Sequence, residues 1–178
     1  MTDRLSKADW IRHGLRTLAS DGTNALKVVP LARKLGVSRG SFYWHFRDIT
    51  DFRAQLLREW QERGTDQVIR EIDSAKAGPD RLQNLMTRAF STKRNLDRAM
   101  RSWGAEDRSV ARVVASVDAK RVAYIAKLLT TAGVQRQRAL DRANFLYWAY
   151  LGQTIVMDPR HASIAPAIVE DISALFEK

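Results

Sequence analysis

Apolar residues recur along this chain at intervals of three and four and nowhere alternate long enough to suggest a strand, which predicts an all-α protein. Trp10, Ile11, Leu15, Leu18 and Ala19 mark a first helix over 6–20, with Lys7, Arg12 and Arg16 elsewhere on its surface. Asp21-Gly22-Thr23-Asn24 provides the glycine and polar break that ends it. A second short helix is predicted over 28–35, with Pro30 in the first turn, where a missing N–H removes no intrahelical bond. A third spans about 38–45, so three helices within the first 46 residues form one compact unit. A long amphipathic segment comes next over 48–76, its stripe of Phe52, Leu56, Trp60, Val68 and Ile72 interrupted near Gly64. Asp48 is placed to cap it, Asp51 adds favourable charge in its first turn, and Ala77-Gly78-Pro79-Asp80 stops it. At ~1.5 Å per residue this segment is about 40 Å long, enough to link the first unit to the remainder of the chain.

The helical spacing continues to the end. Leu82, Leu85, Met86, Ala89 and Phe90 mark one helix, and Leu96, Ala99, Met100 and Trp103 a shorter one ended near Gly104. Val110, Val113, Val114, Val117, Tyr124 and Leu128 mark a long one closed by Ala132-Gly133. The segment 137–156 carries Leu140, Phe145, Leu146, Tyr147, Trp148, Tyr150, Leu151, Ile155 and Val156, which leave little polar surface. A helix apolar nearly all round must be covered on more than one side, and in so short a chain a second subunit is the natural cover. A last helix over 163–177 again has an early proline, Pro166, and presents Ile164, Ile168, Ile172, Leu175 and Phe176.

The stretch from Leu31 to Phe46 adds chemistry to this pattern. Ala32 is small where two helices would cross, and Gly36, four residues later, suits the left-handed exit from the first of them. Leu31, Leu35, Val37 and Phe42 supply apolar contacts that fix the angle, and Ser38 is placed to cap the second helix through its hydroxyl. The result is a helix-turn-helix of the DNA-binding kind, with an ordinary pair of core helices as the plainer reading.

Composition sharpens this. The chain has 178 residues, 45% hydrophobic and 28% charged, with a mean hydropathy of −0.35. No apolar run reaches the ~20 residues of a membrane span, and no apolar leader opens the chain, so a cytoplasmic protein is expected. The absence of cysteine removes disulfides, thiolate metal sites and cysteine nucleophiles. The net charge of +10 is uneven: before residue 48, nine basic residues face three acidic ones, leaving +6, while the remaining residues carry +4. A basic head suits a polyanionic partner.

On Ala32, Gly36-Val37-Ser38, Gly40-Ser41, Phe42, Tyr43 and His45-Phe46, the chain resembles the TetR family of transcriptional regulators. The resemblance is strong over residues 10–57 and extends in helix order over the rest; Met100 to Leu129, with Trp103, Asp107, Val110, Asp118 and Arg121, is similar to the family's sensor half. It implies a helix-turn-helix DNA-binding domain at 1–47, a ligand-sensing and dimerisation domain at 48–178, and a homodimer formed within 137–177. The implied function is a ligand-responsive repressor that reads a pseudo-palindromic operator and releases it when a small-molecule effector binds. Two departures stand out. Lys27 replaces the usual hydroxyl at the start of the second helix, gaining a phosphate-seeking charge. Ile49 replaces the lysine that grips a phosphate at the start of the fourth, a loss that flattens the salt dependence by roughly one unit of slope unless Arg47 or Arg53 substitutes.

In this frame Arg39 is the candidate for direct readout, since its fork matches guanine O6 and N7. Ser41 can bond a base or phosphate, and Gly40 lets backbone come close. The resemblance places Tyr43 and His45 at phosphates and flanking bases, with Trp44 exposed between them; Lys27, Ser38 and Arg47 complete the candidate DNA-binding set, and Phe42 and Phe46 belong to the core. The implied effector pocket draws on Met86, Phe90, Met100, Trp103, Tyr124, Tyr147 and Trp148. An enzyme is not expected: His13, His45 and His161 lack metal-ligand spacing, and no phosphate-cradling loop or nucleophile elbow occurs. Neither metal nor cofactor is anticipated. The competing readings are a helical adaptor with a degenerate head and a regulator that needs no ligand, and binding to duplex DNA separates the first from the rest.

Overall fold

The computed structural model describes residues 5–74, 80–91, 95–158 and 164–177, and every regular element among them is helical. The helices are α1 (Lys7–Asp21), α2 (Val28–Lys34), α3 (Arg39–Tyr43), α4 (Ile49–Gln61), α5 (Gln67–Ser74), α6 (Arg81–Ser91), α7 (Asn95–Glu106), α8 (Arg108–Thr131), α9 (Arg136–Leu151) and α10 (Pro166–Glu177). The long segment predicted over 48–76 is therefore not one uniform helix. Between α4 and α5, Glu62–Asp66 winds more widely, as a π-helical turn around Gly64, where the apolar stripe is broken. The stop read at Ala77-Gly78-Pro79 lies outside the described residues, as does His161.

Contacts gather the chain into two compact units, Met1–Gly64 with Asn95–Val114, and Thr65–Arg94 with Ala115–Lys178. The first is larger than the three-helix head expected from sequence, because α4, α7 and the start of α8 join it. Trp10, Leu18, Leu26, Leu31, Phe42, Phe46, Phe52 and Leu56 form its core, each almost wholly removed from water. The helix starts explain themselves chemically. Ser6 and Asp9 form a capping box at α1, the Asp9 N–H donating to Ser6 Oγ at 3.2 Å and the Ser6 N–H to Asp9 Oδ2 at 3.0 Å. Gly22 and Gly36 end α1 and α2 at φ of +74° and +67°, the left-handed region that glycine enters freely. At Gly14 a Cβ would stand 2.5 Å from Phe52 Cζ and 2.9 Å from Leu56 Cδ2, so α1 and α4 cross where only hydrogen fits.

One expectation is refined here and another corrected. α7 ends near Gly104, as read, but not at it. The helix runs on to Glu106, and a Cβ at Gly104 would lie 3.4 Å from Ala111 Cα, so this glycine lets α7 and α8 approach closely. The break comes at Asp107, whose Oδ1 accepts from the Ser109 N–H at 2.8 Å and opens α8. Ser38 does occupy the position before α3, but its hydroxyl makes no capping bond; the first turn closes through backbone, Ser41 N–H to Ser38 carbonyl at 3.1 Å.

Protonation of this unit is readable from the same groups. Hydrogen bonds from Ser6 hold Asp9 below the ordinary 3.8, the Asp51 N–H does so for Asp48, and the Ser109 hydroxyl for Asp107. Carboxylates lowered by folding stabilise above their ordinary value and lose that contribution as pH falls through their lowered values. Burial lowers His13 below its ordinary 6.5, with Arg16 and Lys34 adding to the effect. Here the unfolded chain takes up the proton first, so stability declines as pH drops below 6.5. Urea midpoints measured from pH 8 to 3 are expected to fall in two steps, a shallow one starting near 6.5 and a steeper one below about 4. His13→Gln should remove the first step; a first step of unchanged size would contradict the assignment.

The second unit packs α6 on α10 and buries Leu82, Met86, Tyr124, Leu128, Leu129, Ala139, Ala143, Leu146 and Val169. Polar bonds tie α8 to its neighbours: Tyr124 Oη donates to Asp73 Oδ1 at 2.9 Å, Arg121 Nε to Thr65 Oγ1 at 3.0 Å, and Tyr147 Oη to Asp118 Oδ1 at 2.6 Å. Gly133, at φ +99°, ends α8 as read, with the Val134 N–H returning to the Leu129 carbonyl at 3.1 Å. The helix expected over 137–156 stops at Leu151 and continues as a wider turn, Gly152–Val156. Leu140, Phe145 and Trp148 on α9, and Ile168 and Leu175 on α10, stay exposed. None of the described residues covers them.

Candidate nucleic-acid interface

The helix-turn-helix is built from α2, a turn at Gly36 and the single-turn helix α3. Gly36 N–H donates to the Arg33 carbonyl at 3.1 Å and Val37 N–H to the Ala32 carbonyl at 3.0 Å, which folds the chain back on α2. Ala32 and Leu31 are buried beneath this turn, while Leu35 and Val37 are half-buried. A helix of five residues cannot hold itself in water. What holds α3 is Phe42, wholly buried, with its ring centroid 5.3 Å from Trp10, 5.0 Å from Phe46 and 5.4 Å from Phe52. Anchored through that side chain, α3 turns the rest of its surface outward.

That surface carries most of the residues read from sequence. Ser38, Arg39 and Gly40 are exposed and Ser41 is half-exposed. Tyr43 is 58% exposed, its ring edge-on to Phe42 at 5.4 Å, and Trp44 is 73% exposed. Lys27 is exposed at the residue before α2 and makes no side-chain capping bond there, as the loss of a hydroxyl predicts. Arg47 is also exposed; its Nε lies 3.2 Å from Asp48 Oδ2, a solvated pair that contributes little. Asp48 meanwhile caps α4 by accepting from the Asp51 N–H at 2.8 Å. Arg53 is half-buried and turned to the Leu26 carbonyl at 3.2 Å.

His45 is placed differently. It is half-buried, and its Nε2 lies 2.8 Å from the backbone carbonyl of Leu5. Nothing in the sequence pattern pairs residues 40 apart, so spacing could not have found this bond. Sequence reasoning also missed Asp97. This carboxylate is buried in the first unit and accepts from Trp60 Nε1 at 2.6 Å, three residues before Met100 on the inward face of α7.

The seven residues read as an effector pocket are divided by the fold. Met86 and Tyr124 share the core of the second unit with Phe90 against it, and Tyr147, in the same unit, stacks on Tyr150 at 5.7 Å. Met100 and Trp103 are buried in the first unit, and Trp148 is 66% exposed. A groove of about 410 Å³ in the first unit is lined by Leu18, Gly22 and Thr23 against Asn95, Arg98 and Ser102, and none of the seven lines it. Among the described residues no group of three His, Asp or Glu is arranged to hold a metal, and no helix is long and apolar enough to cross a membrane.

Residues 11–56 match the family described as "Bacterial regulatory proteins, tetR family". No curated protein matches the chain at a significant level. Among solved structures, the reduced form of Escherichia coli NemR is similar at a TM-score of 0.74 and 16% identity, covering 95% of this chain and 94% of that one. A protein from Rhodococcus sp. described as a TetR-family transcriptional regulator gives 0.67 at 16% identity, over 97% and 99%. Mycobacterium smegmatis AmtR gives 0.58 at 14% identity, over 99% and 88%. At such identities the likeness is one of fold.

Proposed function

We propose, from its membership of the tetR family of bacterial regulatory proteins, that this chain is a cytoplasmic, non-enzymatic repressor. In this reading it binds a pseudo-palindromic operator as a homodimer and lets go when a small effector binds. The observation that carries it is the outward face of α3, where Arg39, Ser41, Tyr43 and Trp44 stand in water on a helix pinned by buried Phe42. In this reading the DNA-binding domain is 1–47, packed with α4, α7 and the start of α8 into the first unit. The sensing and dimerisation part of 48–178 is the second unit. Lys27, Ser38, Gly40 and Arg47 flank the reading helix. Arg47 supplies the phosphate contact that Ile49 lacks, because its guanidinium reaches solvent whereas Arg53 is directed at the Leu26 carbonyl. The effector site draws on Met86, Phe90, Tyr124 and Tyr147; Met100 and Trp103 belong to the other unit, and Trp148 faces out.

Selection of bound duplexes from a random pool by the purified protein tests this. The expected product is a pseudo-palindrome with half-sites one helical turn or more apart. Arg39→Ala should then cost about 1–3 kcal/mol and relax preference at one base pair per half-site, whereas Tyr43→Ala should weaken all sequences alike. Arg47→Ala should reduce the slope of log affinity against log salt by roughly one per half-site. A wild-type protein that enriches no sequence and binds duplex independently of salt would leave the adaptor reading in its place.

A further inference from the structure

The bond between His45 and Leu5 gives a residue of the recognition stretch a different task from its neighbours. A backbone carbonyl can only accept, so the 2.8 Å contact requires the proton on Nε2. Leu5 is the residue just outside the capping box of α1, so its carbonyl lies beyond the intrahelical ladder that Ser6 begins. Two residues on, the Lys7 ammonium sits 5.6 Å from the centroid of the Phe46 ring. The start of α1 is thus fastened to the exit of α3 at consecutive positions, His45 and Phe46. At the entrance of α3 Ser38 makes no side-chain cap, and the chain is held there by the backbone bond from the Val37 N–H to the Ala32 carbonyl.

We infer that His45 is a positioning residue for DNA recognition and not a phosphate contact. Its bond to Leu5 fixes the exit of α3 against α1 and so sets the direction in which Tyr43 and Trp44 project. This rests on the DNA-binding reading above. The Nε2 proton of a side chain that faces DNA in sequence order is held inside the protein, directly after the two exposed aromatics.

The test uses the full chain with His45→Ala and His45→Gln, the glutamine amide nitrogen being able to stand where Nε2 stands. In the DNA-free wild type, nitrogen NMR should show His45 protonated at Nε2, with a scalar coupling across the bond to the Leu5 carbonyl carbon. With duplexes selected by the wild type, His45→Ala is expected to bind at least tenfold more weakly, His45→Gln within threefold of wild type, and all three with one salt slope. Methylphosphonate substitution at successive operator phosphates should weaken wild type and His45→Ala by equal factors. Three results would overturn the inference: no coupling to Leu5, a glutamine variant as weak as the alanine, or one phosphate whose neutralisation abolishes the difference between wild type and His45→Ala. A wild type that shows the coupling but selects no duplex overturns both this role and the DNA-binding reading. A wild type that selects a duplex while lacking the coupling overturns this role alone.

Discussion

Phe42→Ala is expected to destabilise the N-terminal unit by about 3–5 kcal/mol, the range for truncating a buried phenylalanine whose surroundings cannot collapse. Collapse is hindered here because the ring meets Trp10, Phe46 and Phe52 at 5.0 to 5.4 Å, and these aromatic side chains come from three separate segments of chain. Removing the hub leaves each of them with an unfilled face. Against a total stability of about 5–15 kcal/mol for an ordinary domain, the loss is a large fraction. For a chain of this length it corresponds to a fall in Tm of roughly 6–20 °C. Phe42→Leu, which keeps most of the volume, should cost under about 1.5 kcal/mol. Urea unfolding of both variants checks the pair, and an alanine variant within about 1 kcal/mol of wild type would remove Phe42 from its place as anchor of α3. Operator binding should be lost together with stability in the alanine variant, since Tyr43 packs its ring edge on Phe42 and Arg39 rides on the same turn of helix.

Much of this arrangement is legible in the sequence alone. Helix existence follows from apolar spacing, and glycines with a forced left-handed conformation, Gly22, Gly36 and Gly133, mark ends correctly because only local backbone strain decides them. Gly104 stands two residues before the end of α7 for a different reason. A glycine can also be selected by a neighbouring helix, here through Ala111, and that pressure leaves no trace in the local pattern. Ser38 shows the same limit, since its position at the start of α3 is readable but the rotamer of its hydroxyl is not. The outward set on α3 is legible because Phe42 and Phe46, read as core, fix which side of so short a helix faces water. What spacing cannot supply are pairings across long stretches of chain. These include His45 with Leu5, Trp60 with Asp97, and the separation of Met100 and Trp103 from Met86 and Tyr124.

Trp148→Asp is expected to convert the proposed dimer to monomer without unfolding it. The α9 and α10 face of one chain exposes Leu140, Phe145, Trp148, Ile168 and Leu175, while Phe145 stacks on Phe176 at 5.9 Å and so ties the two helices into a single surface. A tryptophan 66% exposed in the single chain has few internal contacts to lose, so the substitution should leave the monomer's helices intact. In a dimer the same position would be enclosed by a second apolar face. An interface tryptophan is commonly worth about 2–4 kcal/mol, and an aspartate enclosed without a partner costs about 3–5 kcal/mol more. Together these raise the dimer Kd by roughly a thousandfold or more, since each 1.4 kcal/mol is about a factor of ten. Operator affinity falls with it, because two linked heads bind about 10²–10⁴-fold more tightly than one. The variant should sediment as a monomer, keep wild-type helical content, and lose operator binding by at least a hundredfold while retaining weak, salt-sensitive binding to a half-site. A Trp148→Asp protein that remains dimeric with full operator affinity would place the subunit contact elsewhere and leave this apolar face without its proposed occupant.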